Sequence, residues 1–301
     1  MDLDSLFSCM SSASCVIAHS TNGLIMGMLL FLVASGVSLI FGVLKVINFA
    51  HGSLYMLGAY AALYVYRLTG NYFYAVVGGT LAVAIFGVFL ERFFISRVYK
   101  SDLLMQLLVC YGWILILDDL VRIGFGAEFQ SFGMPQTFAV APVIIAGTPI
   151  PPFYIFLIAI SFCVALALWF LIEKSSFGRK IRAAAANSTM ASALGINTTA
   201  MYAAVFALGA GLAGLAGALA APVRSITAGM GFSVLIDSFI VTVIGGMGSM
   251  GGALVAALLI GLVRAFGSIA FPLFVEGAVF LLMSAVLVLR PNGLFGKREH
   301  T

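Results

Sequence analysis

Long, continuous apolar runs divide the chain. They cover residues 23–44, 52–66, 72–90, 103–117, 153–172, 200–221, a glycine-interrupted 234–263, and 271–289. Each is bounded by a polar or charged break, and most approach the roughly 20 residues that a helix needs to cross a bilayer. Strands of a membrane β-barrel would instead alternate apolar and polar positions over stretches of about ten. The pattern therefore predicts an all-α, polytopic helical bundle of about eight or nine membrane segments.

The basic residues orient the bundle. Arg92, Arg97 and Lys100 fill one break; Lys174, Arg179, Lys180 and Arg182 fill another; Arg290, Lys297 and Arg298 follow the last run. By the positive-inside rule all three are cytoplasmic. Residues 118–152 carry Asp118, Asp119 and Glu128 against Arg122, together with Pro135, Pro142, Pro149, Pro151 and Pro152, and read as an external loop. This frame places 45–51 inside, 67–71 outside and the N-terminus outside. With the C-terminus inside, the number of spans is odd. Nine results if 234–263 splits near 245–252 into two short passes; one long kinked helix gives eight. The first 22 residues hold Asp2 and Asp4 but no Lys or Arg, so they lack the basic start of a cleavable signal peptide. The first apolar run is expected to stay in the membrane.

Composition agrees and narrows the function classes. Of 301 residues, 62% are hydrophobic and 9% charged, with 15 Lys and Arg against 11 Asp and Glu. Soluble domains carry about 25% charged residues, so a soluble enzyme, a nucleic-acid binder and a disordered chain are excluded. Cys9 and Cys15 lie in the N-terminal tail, and Cys110 and Cys163 lie inside apolar runs. No cysteine pair has metal-ligand spacing, so all four read as structural or incidental. His19, His51 and His300 are far apart, and no nucleophile-elbow, zinc-protease or phosphate-loop pattern occurs. We therefore assign no catalytic residue and no metal site. Gly209, Gly211, Gly214 and Gly217 form a packing face for close helix approach. Gly245, Gly246, Gly248, Gly251 and Gly252 are too dense for a regular helix and predict a break. With no linker dividing the chain, we read one domain: a tail over 1–22, a transmembrane domain over 23–290 with a cytoplasmic loop at 173–199, and a C-terminal tail over 291–301.

That loop is rich in helix formers. Its alanines and Leu194 favour helix, Gly195 suits a left-handed C-terminal position, and Ile196 supplies an apolar residue just beyond. A short helix across the cytoplasmic face is expected. Its small side chains and basic start suit docking into a groove of another protein; an ordinary amphipathic loop helix is the plainer reading.

Three further blocks join this loop in a resemblance. The run Gly178-Arg-Lys-Ile-Arg-Ala-Ala-Ala-Ala-Asn187, with Ala191 and Leu194-Gly195-Ile196, resembles the cytoplasmic coupling loop of ABC importer permeases of the branched-chain amino acid type. The segment from Gly36 through Gly42, Asn48, His51 and Gly52 to Gly58 and Tyr60 resembles the signature of LivH-like permeases in that family. Val241-Thr-Val-Ile-Gly245-Gly246-Met-Gly248 and Arg290-Pro291-Asn-Gly293-Leu294-Phe295-Gly296 resemble its glycine-rich and C-terminal segments. The similarity runs from about Asn22 to near the end.

The resemblance implies a permease subunit forming the translocation path for branched-chain amino acids, or for a related amide, urea or aromatic acid, in the bacterial inner membrane. It implies no cofactor on this chain, with ATP and Mg bound by partners. Those partners are a second LivH/LivM-type permease subunit, two cytoplasmic ABC ATPase subunits and a periplasmic substrate-binding protein, all within or beside the lipid bilayer and without nucleic acid. The coupling residues carried over are Gly178, Arg179, Arg182, Ala183, Ala184, Ala185 and Gly195. Ser188, Thr189 and Met190 depart from the family, which often has a charged residue there. An ion-coupled secondary transporter or channel is the rival class.

The translocation path or gate is assigned to Asn48, His51, Asp237, Gly245, Gly246 and Gly248. For Asn48 and His51 the competing roles are a helix cap and a hydrogen bond to a nearby carbonyl. Asp237, Arg264 and Glu276 are ionisable groups in the last apolar third, where an unpaired charge is costly. They are expected to pair, or to face substrate or a partner; Arg224 and Arg264 fall on the external side.

Overall fold

The computed structural model describes residues 3–99 and 101–296. Asp2, Lys100, Lys297, Arg298 and His300, used above, lie outside them. The helices are α1 (Leu3–Ser11), α2 (Ala13–Leu44), α3 (His51–Thr69), α4 (Tyr72–Phe93), α5 (Leu103–Phe125), α6 (Pro152–Trp169), α7 (Ser176–Ala186), α8 (Ser188–Ala193), α9 (Thr198–Ala220), α10 (Met230–Gly245), α11 (Met250–Ala270) and α12 (Val275–Leu289). A π turn, Phe170–Lys174, extends α6. A small hairpin, β1 (Val143–Ile145) with β2 (Thr148–Ile150), decorates the loop before α6.

Among the described residues, six helices are long and apolar enough to cross a membrane: α2, α4, α5, α6 with its π turn, α9 and α11. The apolar helices α10 and α12 are shorter, and α3 has 19 residues. The multi-pass all-α bundle expected from the apolar runs is therefore present, and 234–263 is two helices rather than one kinked helix. Of these six, α2 and α9 are the most deeply buried and α6 is the most peripheral, followed by α4 and α5 alike. α2 packs chiefly on α11 and α9, and α9 also packs on α3 and α4.

Small residues set those separations. A Cβ at Gly58 would overlap the Gly214 backbone, so α3 and α9 touch main chain to main chain. In lipid such close approach replaces the missing hydrophobic drive with dispersion contacts. Local caps fix the helix starts: Asn71 accepts from the amides of Phe73 and Tyr74, Asp102 from Met105, and Ser249 from Gly252.

Several boundaries differ from the sequence reading. Residues 1–22, read as a tail, include α1 and the first turns of α2, with Cys9 and Cys15 joined in a disulfide. The helix tolerates polar residues there because Thr21 bonds back to the Ile17 carbonyl and His19 Nδ1 lies 3.0 Å from the Ala265 carbonyl. Asp118, Asp119 and Arg122, read as external loop, belong to α5, which runs to Phe125 before Gly126 at φ +86° ends it. The last run begins at Val275 rather than 271, because Pro272 follows the end of α11 and lacks the amide that a continuing helix would need.

Candidate functional site

The cytoplasmic loop folds as a helix pair. Ser175 caps α7 by accepting from the Gly178 amide at 3.1 Å. Asn187 adopts an extended conformation and accepts from the Met190 amide at 2.9 Å, which ends α7 and starts α8. The single helix expected above is thus two, divided at the residue whose side chain competes best for backbone amides. Gly195 follows at φ +84°, and the Ile196 amide reaches back to the Ala191 carbonyl at 3.0 Å. This is the left-handed helix ending anticipated for Gly195.

α7 has two faces. Gly178, Ile181 and Ala184 are buried at helical spacing, and Ile181 packs against Leu39, Val43 and Val205. A Cβ at Gly178 would overlap the Ile172 carbonyl. Gly178 and Ala184 thus lie on the face that fastens the element to this chain's own bundle. Arg179, Lys180, Arg182 and Ala183 are exposed, while Ala185 is half-buried. Arg182 donates to the Ile172 carbonyl and lies 3.7 Å from the Glu173 carboxylate, so it braces the π turn. On α8, Met190 and Leu194 are 58% and 76% exposed, one helical turn apart. The sequence reading treated Met190 only as a departure and did not single out this apolar knob, although its i, i+4 spacing was visible.

The residues assigned to a path or gate lie at packed positions of this chain. Asn48 is buried, and its Oδ1 accepts from the Ala50 amide at 3.1 Å at the start of α3. His51 is fully buried, with Nε2 at 3.2 Å from the Val33 carbonyl and ring atoms against Gly36. Asn48 thus forms a local turn just before α3 rather than capping the helix, His51 makes the carbonyl contact, and Asn48 Nδ2 and His51 Nδ1 are buried without a partner among the described residues. Gly246 (φ +97°) and Gly248 (φ +85°) form the turn between α10 and α11. The C-terminal segment clasps that turn: the amides of Leu294 and Phe295 donate to the carbonyls of Ile244 and Gly245 at 2.8 and 3.1 Å, and Gly246 lies against Asn292 and Gly296. Gly245 packs on Gly252. Gly245 and Gly246 let backbones meet, and Gly248 approaches Gly42.

Asp237 belongs to a charge triad. Arg264 donates to both oxygens of Asp237, at 2.6 and 2.7 Å, and to Glu276 at 2.6 Å. This satisfies the expected pairing, and the fork geometry is the one that suits a guanidinium and a carboxylate. A second pairing escaped the sequence reading, which counted only the bases after α4. Glu91 is buried and accepts from the Tyr99 hydroxyl at 2.6 Å. Burial and that neighbouring carboxylate hold the Tyr99 phenol above its ordinary pKa, so it remains a donor.

The polar concave space beside Arg224 is small. A cleft of about 10 Å³ lies among Met26, Leu30, Val33, Tyr55, Arg224 and Val234. Small-molecule pockets run to about 300–1,000 Å³, so this cleft is too small to hold an amino acid.

Known proteins match this arrangement along nearly its whole length. Residues 20–289 match the family model described as the permease component of a branched-chain amino acid transport system. The high-affinity branched-chain amino acid transport system permease protein BraD of Pseudomonas aeruginosa is 30% identical over 291 residues, covering 92% of this chain and 95% of that protein. LivH of Escherichia coli K12 is 30% identical over 293 residues, covering 92% and 94%. A probable LivH of Methanocaldococcus jannaschii is 27% identical over 280 residues, covering 89% of each. No solved structure matches the chain.

Proposed function

Because the chain belongs to the family of branched-chain amino acid transport permeases, we propose that it is one transmembrane subunit of an ATP-driven importer and carries the α7–α8 element that an ATPase subunit grips. It is a multi-pass protein of the bacterial inner membrane. The partners in this reading are a second permease subunit of similar type, two cytoplasmic ABC ATPase subunits that bind ATP and Mg, and a periplasmic binding protein. The substrates are leucine-like amino acids, with small amides, urea and aromatic acids as related cargo. The path forms between the two permease subunits, which accords with the small size, about 10 Å³, of the cleft beside Arg224.

One observation carries the reading. α7 is anchored on its inner side by Gly178, Ile181 and Ala184, and α7 and α8 present Arg179, Ala183, Met190 and Leu194 outward. An element fixed to the bundle on one face, with exposed basic and apolar side chains on the other, can transmit a push between ATPase and membrane helices as a rigid body. Gly195 sets its end, and Ala185 supports it from the flank. A carrier driven by an ion gradient has no use for such an element. The glycine break that would suit a carrier is filled by the C-terminal segment.

The test is co-purification of the tagged chain with its ATPase and permease partners. Ala183→Glu and Leu194→Glu should release the ATPase subunits while leaving the permease pair intact and its melting unchanged. Ala184→Glu, which puts a charge into the anchored face, should lower the chain's own stability. Full retention of the ATPase subunits by both outward variants would overturn the assignment.

A further inference from the structure

α4 and α6 converge at their external ends, where Tyr72 and Phe153 have ring centroids 5.5 Å apart and Phe73 and Phe156 6.0 Å. Toward the cytoplasm a cavity of about 650 Å³ lies among α4, α9, the π turn after α6 and the start of α7. Its walls include Thr80 and Ala84 of α4, its floor Ala207, Gly211 and Leu215 of α9, and its cytoplasmic end Phe177 of α7. The Thr80 hydroxyl is spent on the Val76 carbonyl at 2.7 Å, so the lining offers a ligand hydrocarbon alone. Its surroundings continue into Leu81, Ile85 and Phe170, exposed apolar residues of the lipid-facing surface. A zwitterionic amino acid would find no partner there, and a site for one needs convergent polar groups.

The cytoplasmic end is basic. Leu171 and Phe177 line the cavity, and Lys174 and Lys180 each follow a lining residue by three positions, which places them on the same side of their turns. Arg179 adjoins Lys180. Lys174, Arg179, Lys180 and Arg182 against Glu173 leave a local charge of 4 − 1 = +3, and only Arg182 has an acidic partner among the described residues. An apolar slot open to the inner leaflet with bases at its cytoplasmic rim, Lys174 lying over the Trp169 ring and Lys180 without an acidic partner among the described residues, has the chemistry of an anionic phospholipid, acyl chain inside and phosphate at the rim.

We propose that this slot holds an anionic phospholipid of the cytoplasmic leaflet. Phe177 and Lys180 lie on α7 itself, so the lipid braces the element that couples the bundle to its cytoplasmic partners. The binding site follows from the cavity and its charges alone; the effect on coupling rests on the function proposed above.

The experiment is native mass spectrometry of the complete detergent-purified complex, delipidated and then supplied with phosphatidylglycerol or phosphatidylcholine of equal chain length. The wild type should retain phosphatidylglycerol about tenfold better, the scale expected when two or more basic side chains meet one headgroup. The Lys174→Glu, Lys180→Glu double variant should lose that preference. Ala207→Trp, which fills the slot, should lose both lipids with the complex intact. Equal retention of the two lipids by the wild type, or unchanged retention in the variants, overturns the proposal. So does an Ala207→Trp complex that loses its second permease subunit, since the slot would then hold a helix of that partner.

Discussion

Arg264 gives the sharpest energetic test of the bundle. Its guanidinium is only 12% exposed and bridges Asp237, 13% exposed, and Glu276, 69% exposed. Arg264→Ala leaves the Asp237 carboxylate enclosed without its two-pronged partner. Removing one member of a buried pair costs about 3–5 kcal/mol, and an Asp facing lipid at a helix centre costs about 2.5–3.5 kcal/mol on insertion scales. Partial exposure places the expected loss near the lower end, about 3 kcal/mol. Glu276→Ala removes an exposed contact and should cost at most about 1 kcal/mol. The Asp237→Ala, Arg264→Ala double variant should cost less than the two single changes summed, because no orphan charge remains. Equilibrium unfolding in mixed micelles, followed by circular dichroism, measures all four proteins. An Arg264→Ala variant within about 0.5 kcal/mol of wild type, or a Glu276→Ala loss as large as that of Asp237→Ala, would refute the view that the enclosed half of the triad dominates.

Two further outcomes follow from the packing. Gly58→Ala places a methyl group into the Gly214 backbone and should destabilise by about 1–3 kcal/mol or more; Gly112→Ala meets nothing within 4 Å and should be neutral or slightly stabilising. The same unfolding assay ranks the pair, and equal effects would contradict main-chain contact between α3 and α9. Tyr99→Phe strips the buried Glu91 of its only hydroxyl donor among the described residues and should cost about 1–3 kcal/mol. The double variant with Glu91→Leu should recover part of that loss.

The bundle was legible because membrane helices announce themselves one at a time: a run such as 153–172 needs no knowledge of its neighbours to be read as a span. What escaped was whatever depends on a neighbour. The polar first turns of α2 are helical because His19 finds a carbonyl on α11, a contact 246 positions away. Asp118 sits in a helix although its charge suggested loop. What packs around the motif of Asn48, His51 and the turn glycines was equally hidden: Asn48 Oδ1 takes the Ala50 amide, His51 Nε2 lies against the Val33 carbonyl, and the turn glycines lie against the C-terminal segment, while Asn48 Nδ2 and His51 Nδ1 are left buried without a partner among the described residues. Gly195 was readable, since a glycine after a helical run needs only local geometry. Asn187 was equally local, and its extended conformation shows that an Asn within an alanine-rich run can divide a helix. Which face of α7 turns inward could not be read, because Gly178 and Ala184 differ from Ala183 only in what packs against them.

The central claim is that the outward face of α7–α8 passes ATP-driven motion to the membrane helices, and its most direct measurement is leucine uptake in proteoliposomes holding the complete complex, binding protein and internal ATP. With Ala183→Glu the account predicts that uptake and binding-protein-stimulated ATP hydrolysis fall together by at least about tenfold, the effect of losing some 1.4 kcal/mol of coupling, while the protein's unfolding is unchanged. Uptake at the wild-type rate in that variant, or transport by this chain alone under an ion gradient, would contradict it.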